Sequence, residues 1–420
     1  MHDKEISLLS PLFFRLIIPF GLGYFVSVFL GSANAIMSPI LVDTFSLSPA
    51  DLGFMTSVYL ISFGLAQFPL GVLLDRYGAR RTLAPSLLLA VLGTLVFAKS
   101  NNFSHLVISR SLQGIGLSCA LMAAFKAYSE YLMPEKIPIV YSMQCLIGGI
   151  GGMFATRPIS LILKVISWRE LFVGIAFLAF LVSMSVWFLP PHEHNYKNKN
   201  KASFSSQFQT MLKFIKDPRF WRIAPIVITG DSIMFAYLYL WIGPWMKDVA
   251  LLNSDSVSKY MMYTFTGAAF GYFTNGALLN YLQRKNFASG EKLYLISGIL
   301  LSVFLSLIAF LNPAISMYLW PFVMFLSTMT MISFSLINRY FAVTEVGRVM
   351  CLLNFMIFFM SFLMQWFIGL VLNKYPVING HFSSIGYKES LVYIIILNVV
   401  ADIYVYIKLL QSINNQECKQ

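Results

Sequence analysis

The segment that decides the fold lies between two long apolar runs. It reads Gly71-Val72-Leu73-Leu74-Asp75-Arg76-Tyr77-Gly78-Ala79-Arg80-Arg81. The run that leads into it covers 52–74 and the run that follows covers 81–99. Each has close to the roughly 20 apolar residues that a helix needs to cross a bilayer. The segment is therefore interpreted as a short polar loop that joins two membrane-spanning helices.

The composition of the whole chain is that of a membrane protein. Of the 420 residues, 58% are hydrophobic and 11% are charged, whereas soluble proteins carry about 25% charged residues. The apolar runs are unbroken rather than alternating, which excludes a β-barrel. The sequence therefore predicts an all-α polytopic membrane protein with 12 transmembrane helices, at 13–41, 52–74, 81–99, 104–128, 137–163, 168–189, 221–247, 257–282, 293–311, 314–338, 347–372 and 387–410.

The positive charges of the loops predict the orientation of these helices. With both termini in the cytoplasm, 20 of the 30 Lys and Arg residues lie on the cytoplasmic side and seven on the other. Cytoplasmic loops of membrane proteins carry such an excess. The net charge of +12 is thus explained as a topology signal, and we expect no nucleic-acid partner.

The chain divides into two halves of six helices. We predict an N-terminal half at 1–189, a cytoplasmic linker at 190–220 and a C-terminal half at 221–420. His192 and His194 lie in the linker without a partner cluster, so we expect no metal site. The segment 276–285 is a degenerate copy of the loop at 71–81, displaced by 205 residues. Parallel repeats of this kind are typical of secondary transporters.

Several motifs resemble those of the major facilitator superfamily. The loop at 71–81 is similar to that family's Gly-x-x-x-Asp-Arg-x-Gly signature, although Ala79 delays its basic pair by one position. Three further motifs are similar to those of the family: Arg110-x-x-Gln113-Gly114-x-Gly116, Gly148-Gly149-x-Gly151-Gly152 and Trp168-Arg169-x-x-Phe172. Two others resemble a bacterial permease subgroup: Phe125-Lys126-Ala127 and Trp241-x-Gly243-Pro244-Trp245. The resemblance implies two pseudo-symmetric six-helix halves, alternating access, and location in a bacterial inner membrane.

The resemblance also implies a gating role for the loop, specifically for Gly71, Asp75, Arg76, Gly78, Arg80 and Arg81. As a latch, Asp75 accepts hydrogen bonds from the amino end of the eleventh helix and pairs with an arginine, which closes the inner side. As a simple topological anchor, the arginines hold the loop in the cytoplasm. We favour the latch because an anchor needs no carboxylate.

The carboxylate of Asp231 lies near the middle of the seventh run, where a charge is costly unless it faces a cavity or a partner. The functional interpretation is a carrier of the coupling proton. The structural alternative is a buried ion pair with Lys126 or another cation. We favour proton coupling.

Two further intramembrane charges have open interpretations. Arg110 matches an arginine that is linked to proton coupling in relatives. A structural pairing with a nearby carbonyl or acid is an equally good interpretation. Asp402 lies near the cytoplasmic end of the twelfth run. Its side chain reaches the membrane interface or pairs with Lys408 in the structural interpretation, which is at least as good as a role in transport.

The predicted substrate-binding residues lie in the runs that the family places near its cavity: Asn34, Lys126, Arg157, Tyr237, Trp241 and Asn338. The excess of intramembrane cations indicates an anionic or zwitterionic solute. Trp241 and Trp245 are one turn apart near the outer end of their run. An interfacial aromatic belt is slightly favoured for them over an outer gate.

The leading hypothesis is a permease, acting as a proton-coupled symporter for a small solute. The chain has no ATP-binding loop and no catalytic cluster, so we expect no enzyme activity and no cofactor. The alternatives are a proton-driven exporter of toxic amphiphiles and a non-transporting nutrient sensor. The expected partners are the solute, protons and the lipid bilayer, and the chain is expected to act as a monomer.

Overall fold

The computed structural model describes residues 11–133, 136–191, 213–285, 289–378 and 380–417. Within this part of the chain the fold is helical, and extended pairing is limited to a single bridge between Ile378 and His381. Most of the predicted linker, including His192 and His194, falls outside the described residues.

Twelve long helical stretches follow one another in the described ranges. The first six are α1 (Pro11–Ser32 and Asn34–Phe45), α2 (Pro49–Tyr77), α3 (Ala79–Ala98), α4 (Phe103–Leu117 and Ala120–Tyr131), α5 (Ile137–Phe154 and Arg157–Ile162) and α6 (Trp168–Phe188). The second six are α7 (Ala224–Ala236, Tyr237–Trp241 and Ile242–Asp248), α8 (Ser254–Arg284), α9 (Gly290–Phe310), α10 (Pro313–Tyr340), α11 (Val343–Leu372) and α12 (Ser384–Glu417).

Eleven of these twelve stretches are long and apolar enough to cross a membrane, judged on the described residues. The exception is α8, which has 31 residues but a more polar sequence. It coincides with the eighth predicted run at 257–282. The helix ends lie within four residues of the predicted boundaries, apart from the end of α12, which lies at Glu417 instead of 410.

Several of the helices are interrupted, and the interruptions coincide with predicted site residues. α1 is interrupted at Ala33, so that Asn34 begins its second segment. Arg157 likewise begins the second segment of α5. In α7, Tyr237–Trp241 is a π-helical turn. Because such turns displace backbone groups from the regular ladder, they are frequent at functional sites.

The chain forms two compact units, of which the first comprises Met1–Ser46 and Val58–Phe204. In this unit α3 packs against α4 and α6, and α1 packs against α5. Glycines permit these close approaches: a Cβ at Gly116 would lie 2.4 Å from the backbone nitrogen of Ala90. Small residues at such positions let membrane helices pack tightly.

The second unit comprises Leu47–Ser57 and Ser205–Gln420. Here α9 packs against α10 and α12, and α7 packs against α11. These are the pairings of the first unit shifted by six helices, as expected for the repeat seen in the loops. Gly267 of α8 permits another close approach in this unit, since a Cβ there would lie 2.3 Å from the carbonyl oxygen of Pro321 on α10.

Candidate functional site

Asp231 lies about two turns into α7 and is partly exposed. Its Oδ1 accepts a hydrogen bond from the hydroxyl of Thr330, which belongs to a 3₁₀ turn of α10. The neighbouring Gly230 provides the space, because a Cβ there would come within 2.8 Å of the Thr330 methyl group. Among the described residues, no basic side chain lies within ion-pair distance of Asp231. Thr330 was not predicted, because no local pattern links it to Asp231 across 99 residues.

The predicted aromatic residues of α7 are buried inside the second unit. Tyr237, Trp241 and Trp245 are at most 2% exposed. The indole nitrogen of Trp241 donates to the backbone oxygen of Gln365 at 2.8 Å, and the Trp245 ring contacts Trp320 edge-on. The slightly favoured prediction of an interfacial belt is therefore wrong, because belt residues lie at the lipid surface.

Arg110 is buried in the first unit, where oxygen atoms surround its guanidinium group. Nη1 donates to the backbone oxygen of Leu30 at 3.1 Å and to Oε1 of Gln113 at 2.6 Å. With its amide oxygen turned towards the guanidinium, Asn34 accepts from Nε at 3.0 Å and from Nη2 at 2.9 Å. The ring of Tyr59 lies 4.5 Å from the guanidinium carbon. The structure thus brings together Asn34 and Arg110, which were predicted to have different roles.

Lys126 and Asp75 form an ion pair in the first unit. Lys126 Nζ lies 2.8 Å from Asp75 Oδ1 and 3.9 Å from a carboxylate oxygen of Glu130. The side chain of Asp75 is 77% exposed and that of Lys126 is 20% exposed. Asp75 was predicted to pair with an arginine. In the structure its partner is Lys126, which was predicted to bind substrate. The latch itself stays a prediction.

The remaining loop residues have distinct surroundings. Gly78 has a φ of 85°, which lets the chain turn sharply between α2 and α3. Arg80 Nη1 donates to the backbone oxygen of Pro190 at 3.4 Å. Arg76 and Arg81 are exposed, and a Cβ at Gly71 would meet nothing within 4 Å.

The other predicted binding residues are more accessible. Arg157 is partly exposed at the start of the second segment of α5. Asn338 is exposed near the end of α10, where its amide donates to the backbone oxygen of Phe334. Asp402 does not pair with Lys408, whose ammonium contacts Gln411 instead. The described residues include no group of three His, Cys, Asp or Glu side chains that could hold a metal ion.

Comparison with known proteins gives consistent matches. Residues 20–364 match the sequence profile of the Major Facilitator Superfamily. The chain is 24% identical to the uncharacterized transporter YybO of Bacillus subtilis, over 61% of this chain and 62% of that protein. It is 23% identical to the hexuronate transporter of Bacillus subtilis, over 62% of each chain. It is 22% identical to the probable L-galactonate transporter of Escherichia coli, over 63% of this chain and 62% of that one.

These matches span a little less than two thirds of the relatives' length. Among solved structures, the fold is similar to that of a D-xylose-proton symporter, with a TM-score of 0.71 at 14% identity, over 94% of this chain and 97% of that chain. At this identity the likeness concerns the fold alone.

Proposed function

Because this chain belongs to the major facilitator superfamily, a family of membrane transporters and not of enzymes, we propose that it moves a small organic anion by proton-coupled alternating access. Membership confirms the resemblance drawn from the motifs, and with it the 12-helix fold in two six-helix halves. The proposal includes protons as the coupling ion and an anionic solute. It also includes location in a bacterial inner membrane with both termini in the cytoplasm.

The observation that carries the proposal is the environment of Asp231. Its hydrogen-bond partner, Thr330, is neutral, and an ionised carboxylate in a membrane helix is costly without a cation. The described residues cover this side chain only partly, and exchange of its proton with water through the uncovered side is part of the proposal. A coupling site needs a carboxylate that is neutral while the transport pathway around it is closed and that exchanges its proton when the pathway opens.

Two observations support an anionic solute. The hexuronate and L-galactonate of the relatives' names both carry a carboxylate. Arg157 is a permanently charged, partly exposed group at a helix interruption, and a guanidinium can bind a carboxylate through two parallel hydrogen bonds. Lys126 is already paired with Asp75, so its participation requires release of that ion pair.

The test begins with finding a ligand. The thermal unfolding of the purified protein is measured with galacturonate, galactonate, neutral galactose and the lipophilic cation tetraphenylphosphonium. We expect selective stabilisation by the anions. Selective stabilisation by the cation would contradict the anionic solute and favour the alternative of amphiphile export.

The stabilising anion is then used in proteoliposomes that contain either the parent protein or Asp231→Asn. We expect the variant to lose accumulation driven by a pH gradient but to retain counterflow, because exchange needs no net proton movement. Asp43→Asn, which changes an exposed carboxylate of α1, is the matched control. Full accumulation by Asp231→Asn would refute the coupling role, and an unfolded variant would indicate a structural role for the hydrogen bond between Asp231 and Thr330.

A further inference from the structure

A buried carboxylate that has no part in the proposed transport cycle lies in the second unit. Asp402 on α12 is 5% exposed and lies beside Gly298 and Ser302 of α9. These two residues are about 12 and 18 Å along α9 from its first residue, Gly290, and therefore well inside the apolar span. Thr229 of α7 and Asn398 of α12 complete the cluster, and both are almost fully buried.

One oxygen of Asp402 is hydrogen-bonded to neutral groups. Oδ2 lies 3.0 Å from Ser302 Oγ and 3.4 Å from Asn398 Nδ2. The same amide nitrogen also donates to Ser302 Oγ at 2.8 Å and to the backbone oxygen of Gly298 at 3.3 Å. Thr229 orients the amide, because its hydroxyl donates to Asn398 Oδ1 at 2.7 Å.

The other oxygen of Asp402 has no hydrogen-bond partner. Oδ1 is buried and faces Gly298, where an added Cβ would come within 2.1 Å of it. In the part of the chain that the structure describes, no Lys, Arg or His side chain forms an ion pair with Asp402. An ionised carboxylate would therefore be an uncompensated charge inside the apolar span, which is strongly unfavourable.

Two ligands can neutralise such a carboxylate: a metal cation or a proton. A hard cation requires several oxygen atoms that converge on it. Here the amide nitrogen of Asn398 lies among the oxygens of Gly298, Ser302 and Asp402, so its donors occupy the position that a cation would take. A proton needs no such space.

We propose that Asp402 is a proton-binding site, at which the neutral carboxylic acid fastens α12 to α9. The proton lies on Oδ2, which donates to Ser302 Oγ, and only an uncharged carbonyl oxygen is left without a partner. Because Asp402 is buried whereas Asp231 is partly exposed, the proton stays bound and is not the one carried with the solute. Among the described residues, the titratable side chains near Asp402 on the packed helices include Tyr294 of α9, which also lies within electrostatic range of Asp231 on α7. Tyr404, Tyr406 and Lys408 follow Asp402 along α12.

Infrared spectroscopy tests this proposal directly, because a protonated carboxyl group has a C=O stretching band that a carboxylate lacks. Spectra of the full-length protein in lipid vesicles at pH 7 are compared for the parent, Asp402→Asn and Asp231→Asn. We expect one carboxylic-acid component that is absent from the Asp402→Asn spectrum and present in the Asp231→Asn spectrum. Asp402→Asn should also keep the parent's thermal stability, because the amide resembles the neutral acid in size and charge.

Ser302→Ala provides a second readout that does not depend on Asp402→Asn folding. It removes the hydroxyl bonded to Oδ2, so it should shift the frequency of the same band, whereas Ser306→Ala one turn along α9 should not. Identical spectra for the parent and Asp402→Asn, or a band insensitive to Ser302→Ala, would overturn the proposal. Neither result bears on proton coupling, which is tested by the accumulation assay with Asp231→Asn.

Discussion

Replacing Arg110 with lysine decides between the two roles that the sequence leaves open for this residue. The variant keeps the positive charge but exchanges a planar group with five donors for a single ammonium. The guanidinium donates to Leu30 and Gln113, and with the amide oxygen of Asn34 turned towards it, it also donates twice to Asn34. A lysine can retain the bonds made by one nitrogen, those to Leu30 and Gln113, and loses the two bonds to Asn34.

The expected loss follows from these contacts. A hydrogen bond to a charged group contributes about 1.5–3 kcal/mol to stability. Two lost bonds therefore destabilise the protein by about 3 kcal/mol or more. Arg110 is 1% exposed, so water cannot replace them without rearrangement. This free-energy change corresponds to about a hundredfold shift in the folding equilibrium.

The assay is reversible unfolding of the purified protein in mixed micelles with increasing sodium dodecyl sulfate, followed by tryptophan fluorescence. Arg76→Lys is the matched control, because Arg76 is exposed, and its effect should stay within about 0.5 kcal/mol. Normal stability of Arg110→Lys together with lost accumulation would refute the structural reasoning. That result would assign Arg110 to proton coupling.

Two further predictions concern the latch and the solute. Asp75→Asn should slow turnover with little loss of stability, because its exposed ion pair with Lys126 contributes at most about 1 kcal/mol. The transport rate and the unfolding midpoint are measured together, and a normal transport rate would exclude the latch. Arg157→Gln should nearly eliminate stabilisation by the binding anion. Arg157→Lys should only raise the half-saturation concentration, because lysine cannot form two parallel hydrogen bonds to a carboxylate. Unchanged anion binding in Arg157→Gln would exclude this residue from the site.

The twelve helices could be predicted because their cause is local. A chain in lipid must satisfy its backbone hydrogen bonds within each segment, so that every long apolar run becomes a helix. The run at 257–282 is instructive, since α8 forms there although its sequence is more polar than that of the other eleven. The repeat of the loop at 71–81 indicated two related halves, and in the structure the packing of α9 with α12 repeats that of α3 with α6.

The interruptions within the helices were predicted less well. Pro158, which has no backbone amide hydrogen to donate, directly follows Arg157, and the structure interrupts α5 just before Arg157. The interruption of α1 at Ala33 follows Gly31, and the π-helical turn at Tyr237–Trp241 precedes Pro244, but neither residue type by itself specifies such a distortion. Such distortions depend on how neighbouring helices satisfy the displaced backbone groups, which is a property of the packed structure.

The sequence by itself determined which residues are charged inside the membrane and on which helix each one lies. Only the tertiary structure decided their partners: Thr330 for Asp231, Asp75 for Lys126, and Ser302 with Asn398 for Asp402. The first pair is separated by 99 residues and the second by 51. Hydrophobic periodicity fixes the position of a residue along its helix, but the rotation and packing of whole helices set the distance between two side chains. That packing depends on the many contacts of each unit together, and no short segment encodes it.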